Sequence, residues 1–364
     1  MSDFDVAVFG AGIAGTAIAN ELKERAQSVL LIDPNTSENA PGPPGALVNP
    51  ATGRRAKMTW QGKQCYDALK KQIHTISEFT GSEDLTVESG VLRPAINEKL
   101  AKHFKDAFGK YNWPEGWIEW LEEDEIKQMN PHVADNFGGI HVKCGYSVFV
   151  DKYQNAYRKY LRLQGVSCRY EQATYEYEER TKRFKINFKN GDDCSVDKVV
   201  MAIGYKIKYE PDWSFLGLNF VKGQIVHFEV DEKLDWDHSI SAKGYSIRRG
   251  ENELIVGSTY EHNFEDLSID EDSYKRILNK LDLMLPKLSD KVNKIAQMAG
   301  VRVTTQNRLP VIGEHPNIKN LFVYTGMNSK GFLFSHHVGA MLADLMINKK
   351  EIPEEISVER FGVD

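Results

Sequence analysis

Cysteine is scarce in this 364-residue chain: Cys65, Cys144, Cys168 and Cys194 are scattered, with no C-x-x-C pair. That spacing argues against both a zinc site and a disulfide framework, so four reduced, packed thiols and no metal are expected. Long apolar runs are missing as well, and no segment reaches the roughly eighteen apolar residues of a membrane span. The first residues pass from Met1 through Asp3 and Asp5 into a strand-like run, without the basic and apolar regions of a secretion signal. A soluble cytoplasmic protein is the expectation. Excess positive charge is lacking too. A net charge of −6 argues against a dominating cationic surface that would hold nucleic acid by its phosphates, although a local basic patch stays open. Internal repeats and low-complexity tracts are absent.

What the chain does have is alternation. Val6 to Phe9 form a short apolar run, Ala17, Ile18 and Leu22 share a helical face, and Val29 to Ile32 form a second run, giving strand, helix, strand. From Thr36 to Pro50 the chain reads TSENAPGPPGALVNP, where four prolines and two glycines bar a regular helix. A helix resumes with Tyr66, Leu69, Ile73 and Ile76 as its apolar stripe. Val87 to Pro94 reads as a strand, and Trp113 to Met129 as an aromatic-rich segment followed by a short acidic helix. Asp151 is expected to cap a helix carrying Tyr153, Ala156, Tyr157, Tyr160 and Leu161 that ends at Gly165.

Strands then follow at Thr174 to Glu178, Phe184 to Phe188 and Val199 to Ile203, with a turn at Asn190-Gly191. Three antiparallel runs are expected between Phe220 and Tyr260 (VKGQIVHFEV, SISAKGYSIRR, NELIVGSTY). A helix around Tyr274, Ile277, Leu278 and Leu281, short strands at Val301 to Thr305 and Leu321 to Tyr324, and a closing helix from about Gly331 complete the pattern. The fold class is therefore α/β (α+β), a Rossmann-like βαβ domain interleaved with a mainly antiparallel-sheet domain. The first takes residues 1–85, 141–217 and 300–364; the second takes 86–140 and 218–299.

Gly10, Gly12 and Gly15 stand in the order G-x-G-x-x-G between the first strand and helix. Gly10 permits the tight turn, Gly12 lets the backbone approach a pyrophosphate, and Gly15 lets the helix pack close to the strand. The N–H groups of Ala11, Ile13 and Ala14 are then available to phosphates at the helix N-terminus. Asp33 closes the second strand 23 positions after Gly10, where a carboxylate meets a ribose hydroxyl and disfavours the 2′-phosphate of NADP. These residues leave NAD and FAD both open. A nicotinamide enzyme ordinarily continues into another helix and strand, whereas the proline and glycine loop after Pro34 suits an extended cofactor.

The segment GALVNP (Gly45 to Pro50) resembles the small-residue stretch after the second strand in the D-amino-acid oxidase superfamily of FAD-dependent oxidoreductases. Further motifs follow in family order over nearly the whole length. They are LEEDEIKQMNPHV, SVFVDKYQNAYRKYLRLQGV, VDKVVMAIG, VKGQIV, GYSIRRGENELIVGST and AGVRVTTQNRLPVIGEHPNIKNLFVYTGMNSKGFLFS. Within the superfamily the nearest likenesses are the glycine oxidases and the FAD domain of the bifunctional enzyme that matures the wobble uridine of tRNA. That enzyme's methyltransferase half has no counterpart here.

The resemblance implies non-covalent FAD, because Val303, Thr304 and Thr305 stand where some members carry a flavin-linked cysteine. It also implies a cofactor site of the glycine turn, Asp33 and Pro34, Gly45, Ala46 and Leu47, Ala202 and Gly204, and the turn Asn328, Ser329, Lys330, Gly331 and Phe332. A helix N-terminus beside Lys330 would stabilise negative charge at the N1 and C2 carbonyl end of a reduced flavin. Arg302 in AGVRV is placed where the superfamily grips the substrate carboxylate, and Tyr245 in GYSIRR matches a tyrosine that assists it. A guanidinium suits the role because it offers two parallel N–H bonds.

The implied reaction moves a hydride from the carbon bearing a neutral amine to flavin N5, and water hydrolyses the resulting imine of a small amine or amino acid. Reoxidation by oxygen or by a carrier are both open, as is the oligomeric state. His336 and His337 invite a metal reading, but adjacent helix positions point about 100° apart and cannot clamp one ion together. Arg248 and Arg249 are left unassigned. Arg54, Arg55 and Lys57 read as a solvated face or as a receiver for an anionic, nucleotide-like substrate. Competing readings are tRNA side-chain modification, an NAD-linked dehydrogenase, and a flavoprotein without turnover.

Overall fold

The computed structural model describes residues 4–34 and 43–362. The first part of the proline-rich loop, at 35–42, lies outside them. Seven α-helices occur among the described residues: α1 (Ile13–Glu24), α2 (Gly62–Thr80), α3 (Glu98–Lys110), α4 (Glu123–Met129), α5 (Val150–Leu163), α6 (Glu271–Met284) and α7 (Gly331–Asn348). None is long and apolar enough to cross a membrane.

One eight-stranded sheet has a parallel core. Phe4–Phe9 lies between Val29–Ile32 and Asp193–Met201; Ser167–Arg169 adds beyond the former and Leu321–Thr325 beside the latter, all in parallel. Val29–Ile32 and Leu321–Thr325 are buried along their whole length, as are Val6–Phe9 and Val199–Met201, because helices and loops cover both faces of the sheet there. Val6, Val8, Leu31, Val200 and Phe322 face α1, α2, α5 and α7, while Ala7, Leu30, Val199 and Val323 join Phe184, Ile186 and Trp213 on the other side. An antiparallel arm, Ala173–Glu178 with Arg183–Phe188, extends from Asp193–Met201 and turns at Gly191, whose φ is +92°.

The second sheet also has eight strands, in the order Val292–Thr304, Asn219–Val230, Glu253–Gly257, Tyr245–Arg248, Ser239–Ser241, Val91–Pro94, Gly139–Val142 and Ile118–Leu121. It is antiparallel except where Ser239–Ser241 runs beside Val91–Pro94. Its outer face packs on α6 through Phe228, Val256, Ile277 and Leu281, and α3 covers Val91, Ile140 and Val142. A small three-stranded sheet, Ala46–Val48, Tyr146–Val148 and Thr86–Val87, also forms.

Four expectations are corrected. The run SISAKGYSIRR is a hairpin rather than one strand, turning between Ser241 and Tyr245. The late strand is Val292–Thr304, which begins nine residues before the expected Val301 and continues through position 300, where the sequence division falls. Asp151 does not cap α5: Phe149 occupies that place, and the Asp151 carboxylate instead pairs with Arg249. Residues 95–112 have no expected element, yet they hold α3, whose Asn97 side chain accepts from the Leu100 N–H as an N-cap and whose Ala101, Phe104 and Ala107 are buried.

Candidate flavin and substrate site

At the first turn the three glycines do three different things. Gly10 has φ +96°, and a Cβ on it would overlap the Ala202 carbonyl. Gly15 sits against the Gly10 carbonyl so closely that any Cβ would collide with it. Gly12 has nothing within 4 Å of where its Cβ would stand. The turn is therefore packed from behind and open in front, which is the shape a pyrophosphate needs. Asp33 Oδ2 accepts from the Ala11 N–H at 2.7 Å, which ties the end of the second strand to the turn, with Pro34 following.

Two residues here went unnoticed in the sequence. Arg158 on α5 donates through Nε and Nη2 to the Ala11 carbonyl at 3.3 Å, bringing a cation to the turn. One helical turn earlier, Gln154 is buried with neither end of its amide hydrogen-bonded. Four-residue spacing on α5 puts Gln154 and Arg158 on one face of the helix.

The N-terminus of α7 lies beside that of α1. A Cβ on Gly331 would stand 3.8 Å from Ile13 Cδ1, and one on Gly339 would stand 3.7 Å from the Ala17–Ile18 backbone. Tyr324 fixes this register, its hydroxyl donating to the Ser335 carbonyl at 2.7 Å. Asn328 takes φ +55° and its amide donates to the Gly326 carbonyl at 2.9 Å, so the turn Asn328–Lys330 delivers Gly331 into the helix. Ser329 is exposed. Lys330 is half-buried, with Nζ 5.2 Å from the Phe334 ring; burial and the charge of Arg308 hold its ammonium below the ordinary lysine range. A cation so placed gains from an anionic neighbour. Phe332 turns its ring into the core, 5.3 Å from Tyr153, leaving only its backbone for a ligand.

The third part is the face of the second sheet that carries Arg302. Arg302 shares it with Met298 and Gly300 on its own strand and, across the register, with Val221, Gly223 and Ile225, then Ile255 and Gly257, then Tyr245 and Ile247. Leu47, from the segment after the proline loop, packs on Ile225, Ile247 and Ile255. Buried Gly45 stands where a Cβ would reach Ile255 Cδ1 at 2.9 Å. Ala46 precedes Leu47 in the same short strand.

Arg302 is sandwiched. Its guanidinium lies over Gly223, and the Tyr260 ring covers it at 4.6 Å from the ring centroid. Nη2 donates to Ser258 Oγ, and Nη1 to the Thr259 carbonyl at 3.4 Å. All these partners are neutral, and no carboxylate lies within ion-pair distance of Arg302 among the described residues. Tyr245 rests against Gly257; burial pushes its hydroxyl up to about 12, against the pull of the Arg302 charge.

Behind this face, Thr259 Oγ1 accepts from the Gln224 N–H at 2.8 Å and donates to Glu261 at 2.5 Å, while buried Lys222 donates to the Ser268 carbonyl at 2.7 Å. The loop that carries Ser258 to Tyr260 is thereby fixed.

The other candidates lie elsewhere. His336 is buried, its Nε2 3.1 Å from the Tyr153 hydroxyl, and His337 meets Gln61 Oε1 at 2.5 Å, so the two rings do face different partners. No group of three or more potential metal ligands occurs among the described residues. Arg248 donates to the Trp236 and Gly250 carbonyls at 2.7 and 2.6 Å. Arg249 bridges Asp151 and the Pro44 carbonyl, which ties the second sheet to the loop before Gly45. Arg54, Arg55 and Lys57 are exposed on the hairpin Ala51–Thr52 and Lys57–Met58. Ala202 backs Gly10, and Gly204 takes φ +58° with open space around it.

The family model described as "FAD dependent oxidoreductase" (DAO) matches residues 5–345. Glycine oxidase of Geobacillus kaustophilus (strain HTA426) is 25% identical over 361 residues, covering 95% of this chain and 94% of that one. A tRNA 5-methylaminomethyl-2-thiouridine biosynthesis bifunctional protein of Thiobacillus denitrificans is 24% identical over 369 residues, 98% of this chain but 58% of that one. The crystal structure of the Geobacillus kaustophilus glycine oxidase superimposes with a TM-score of 0.84 over 99% of both chains, at 21% identity.

Proposed function

The chain belongs to the DAO family of FAD dependent oxidoreductases and binds FAD, and within that family we propose that it oxidises the C–N bond of a small amine or amino acid bearing a carboxylate. One observation carries this reading: Arg302 is held over Gly223 with only neutral partners, on a sheet face that Leu47 joins to the cofactor loop. A guanidinium in that state gains two charge-assisted bonds when a carboxylate arrives.

The residues that would hold FAD fit it. The open front of Gly12, the Ala11–Asp33 contact and Arg158 suit the adenine-nucleotide and pyrophosphate end, while the α7 N-terminus and Lys330 suit the ring end. FAD, when bound, supplies a two-electron acceptor for the hydrogen on the carbon beside the amine. Arg302 fixes the carboxylate and so orients that carbon. Tyr245 remains a neutral phenol over the physiological range, which suits it to donate a hydrogen bond to the same carboxylate rather than to remove a proton. Orientation alone is worth several powers of ten in rate. The substrate amine reacts as the free base, and the released imine hydrolyses in water. We assign the first sheet with α1, α2, α5 and α7 to FAD, and the second sheet to substrate.

Anaerobic bleaching of the flavin by a panel of amines and amino acids tests the proposal. Bleaching by carboxylate-bearing amines but not by their decarboxylated counterparts is expected; indifference to the whole panel refutes it. Reoxidation with and without oxygen then separates oxidase from dehydrogenase. A nucleoside side chain is a second reading, favoured by the exposed Arg54, Arg55 and Lys57 hairpin, which buried Arg93 pins by donating to the Ala51 and Gly53 carbonyls at 2.5 and 2.6 Å. Salt-dependent binding of tRNA would favour it.

A further inference from the structure

Three neighbouring strands of the second sheet each bring a glycine to the Arg302 face. Gly223 lies directly opposite Gly300, and Gly257 lies opposite Ile225, two residues along. Two of the three are covered by functional side chains. A Cβ on Gly257 would fall 2.8 Å from the Tyr245 hydroxyl, and one on Gly223 would overlap the Arg302 guanidinium. The third is bare: nothing lies within 4 Å of where a Cβ on Gly300 would stand.

Neither of the usual reasons for glycine applies at position 300. Its φ lies outside the left-handed region, so the backbone accepts any L-residue, and no neighbour is close enough to forbid a side chain. Yet Gly300 stands two residues from Arg302 and two from Met298, with all three side-chain directions on the same face of the strand. A guanidinium with no acidic partner on one flank and a thioether packed against Ile225 on the other mark the space as polar at one end and apolar at the other.

We propose that Gly300 is a specificity-determining position, and that the volume above it receives the substituent carried by the substrate beyond its carboxylate. The inference rests on Arg302 as the carboxylate anchor. With the acid group held there, the rest of the ligand extends over Gly300 toward Met298 and Ile225, so the substrate class is a carboxylate-bearing amine whose substituent is larger than hydrogen and apolar. A methyl group at position 300 would occupy that space and leave the protein's own contacts as they are.

The FAD-loaded wild type and Gly300→Ala are compared on two readouts. The first is binding of acetate, propionate and butyrate, followed by perturbation of the flavin absorbance; the second is kcat/KM for glycine, alanine and 2-aminobutyrate. Gly300→Ala should keep its flavin and its melting temperature and bind acetate as the wild type does. It should lose about tenfold or more in butyrate affinity, in line with the discrimination a single methylene gives in a tight pocket. The rate constants should shift in the same order. An unchanged or uniformly scaled series overturns the inference, and so does a variant that loses flavin or unfolds, since the added methyl is held to meet nothing of the protein. A wild type that binds no carboxylate brings down the anchor and this inference together, whereas a wild-type series that Gly300→Ala fails to reshape removes this inference alone.

Discussion

At the scale of single residues, Arg302 and its neighbours make the sharpest test. Arg302→Lys keeps the charge but cannot offer two parallel N–H bonds, and a hydrogen bond to a charged group is worth about 1.5–3 kcal/mol. Steady-state kinetics should show kcat/KM for carboxylate substrates falling roughly 10- to 100-fold, with the flavin content unchanged; full activity in the lysine variant would displace Arg302 from the anchor role. Tyr260 is 64% exposed although its ring covers the guanidinium. Tyr260→Ala should therefore raise KM only a few-fold, as an exposed cation–π contact of about 0.5–1 kcal/mol implies. Stopped-flow binding would show this as faster release.

At the scale of elements, the first turn separates cofactor from fold. Gly12→Val places a side chain in open space, so the protein should fold with its usual circular dichroism yet emerge colourless. Gly15→Ala drives a methyl into the Gly10 carbonyl and should cost about 1–3 kcal/mol of stability, read as a lower urea midpoint. In α7, burial holds His336 down to about 3, and just before the strand Ser239–Ser241 His238 is held down to about 4 by burial and the charge of His141. The unfolded chain binds protons at these histidines from about pH 6.5 downward while the folded chain does not. Stability should thus be full above about 6.5 and fall as pH drops toward 3. His336→Gln should flatten that acid limb in a series of thermal melts.

What could be read from sequence followed the range of the interactions. The glycine turn and Asp33 were legible because turn, helix and acid lie within one βαβ unit. For α3 the local signals are present in Asn97 as a cap and in Ala101, Phe104 and Ala107 as an apolar stripe. Arg302 and Tyr245 were found only through family likeness. Gly223, Ser258, Tyr260 and Gly300 were not legible at all, since strands Asn219–Val230, Glu253–Gly257 and Val292–Thr304 meet only in the sheet, and nothing local in any of them announces a shared face.

At the scale of the whole molecule, the two sheets are tied where the chain passes between them. Arg249, from the second sheet, holds both Asp151 at the start of α5 and the Pro44 carbonyl just before Gly45. The Asp151 carboxylate is half-exposed, so the pair itself contributes little, about 1 kcal/mol or less. The carbonyl bond, however, steadies the segment that leads to Leu47. Arg249→Ala should lower the melting temperature slightly and weaken FAD retention more, measured as flavin released on dilution; a variant that loses stability without releasing flavin would show the tie to be merely mechanical.

The strand Leu321–Thr325 completes the parallel sheet beside Asp193–Met201, and α7 follows at once to cover α1. Helix α1 thus waits for a partner made more than three hundred residues later. During synthesis on the ribosome the apolar flank of α1 stays uncovered until nearly all of the polypeptide has emerged, so chaperone binding should persist late, and chains stopped before residue 321 should aggregate rather than take up cofactor.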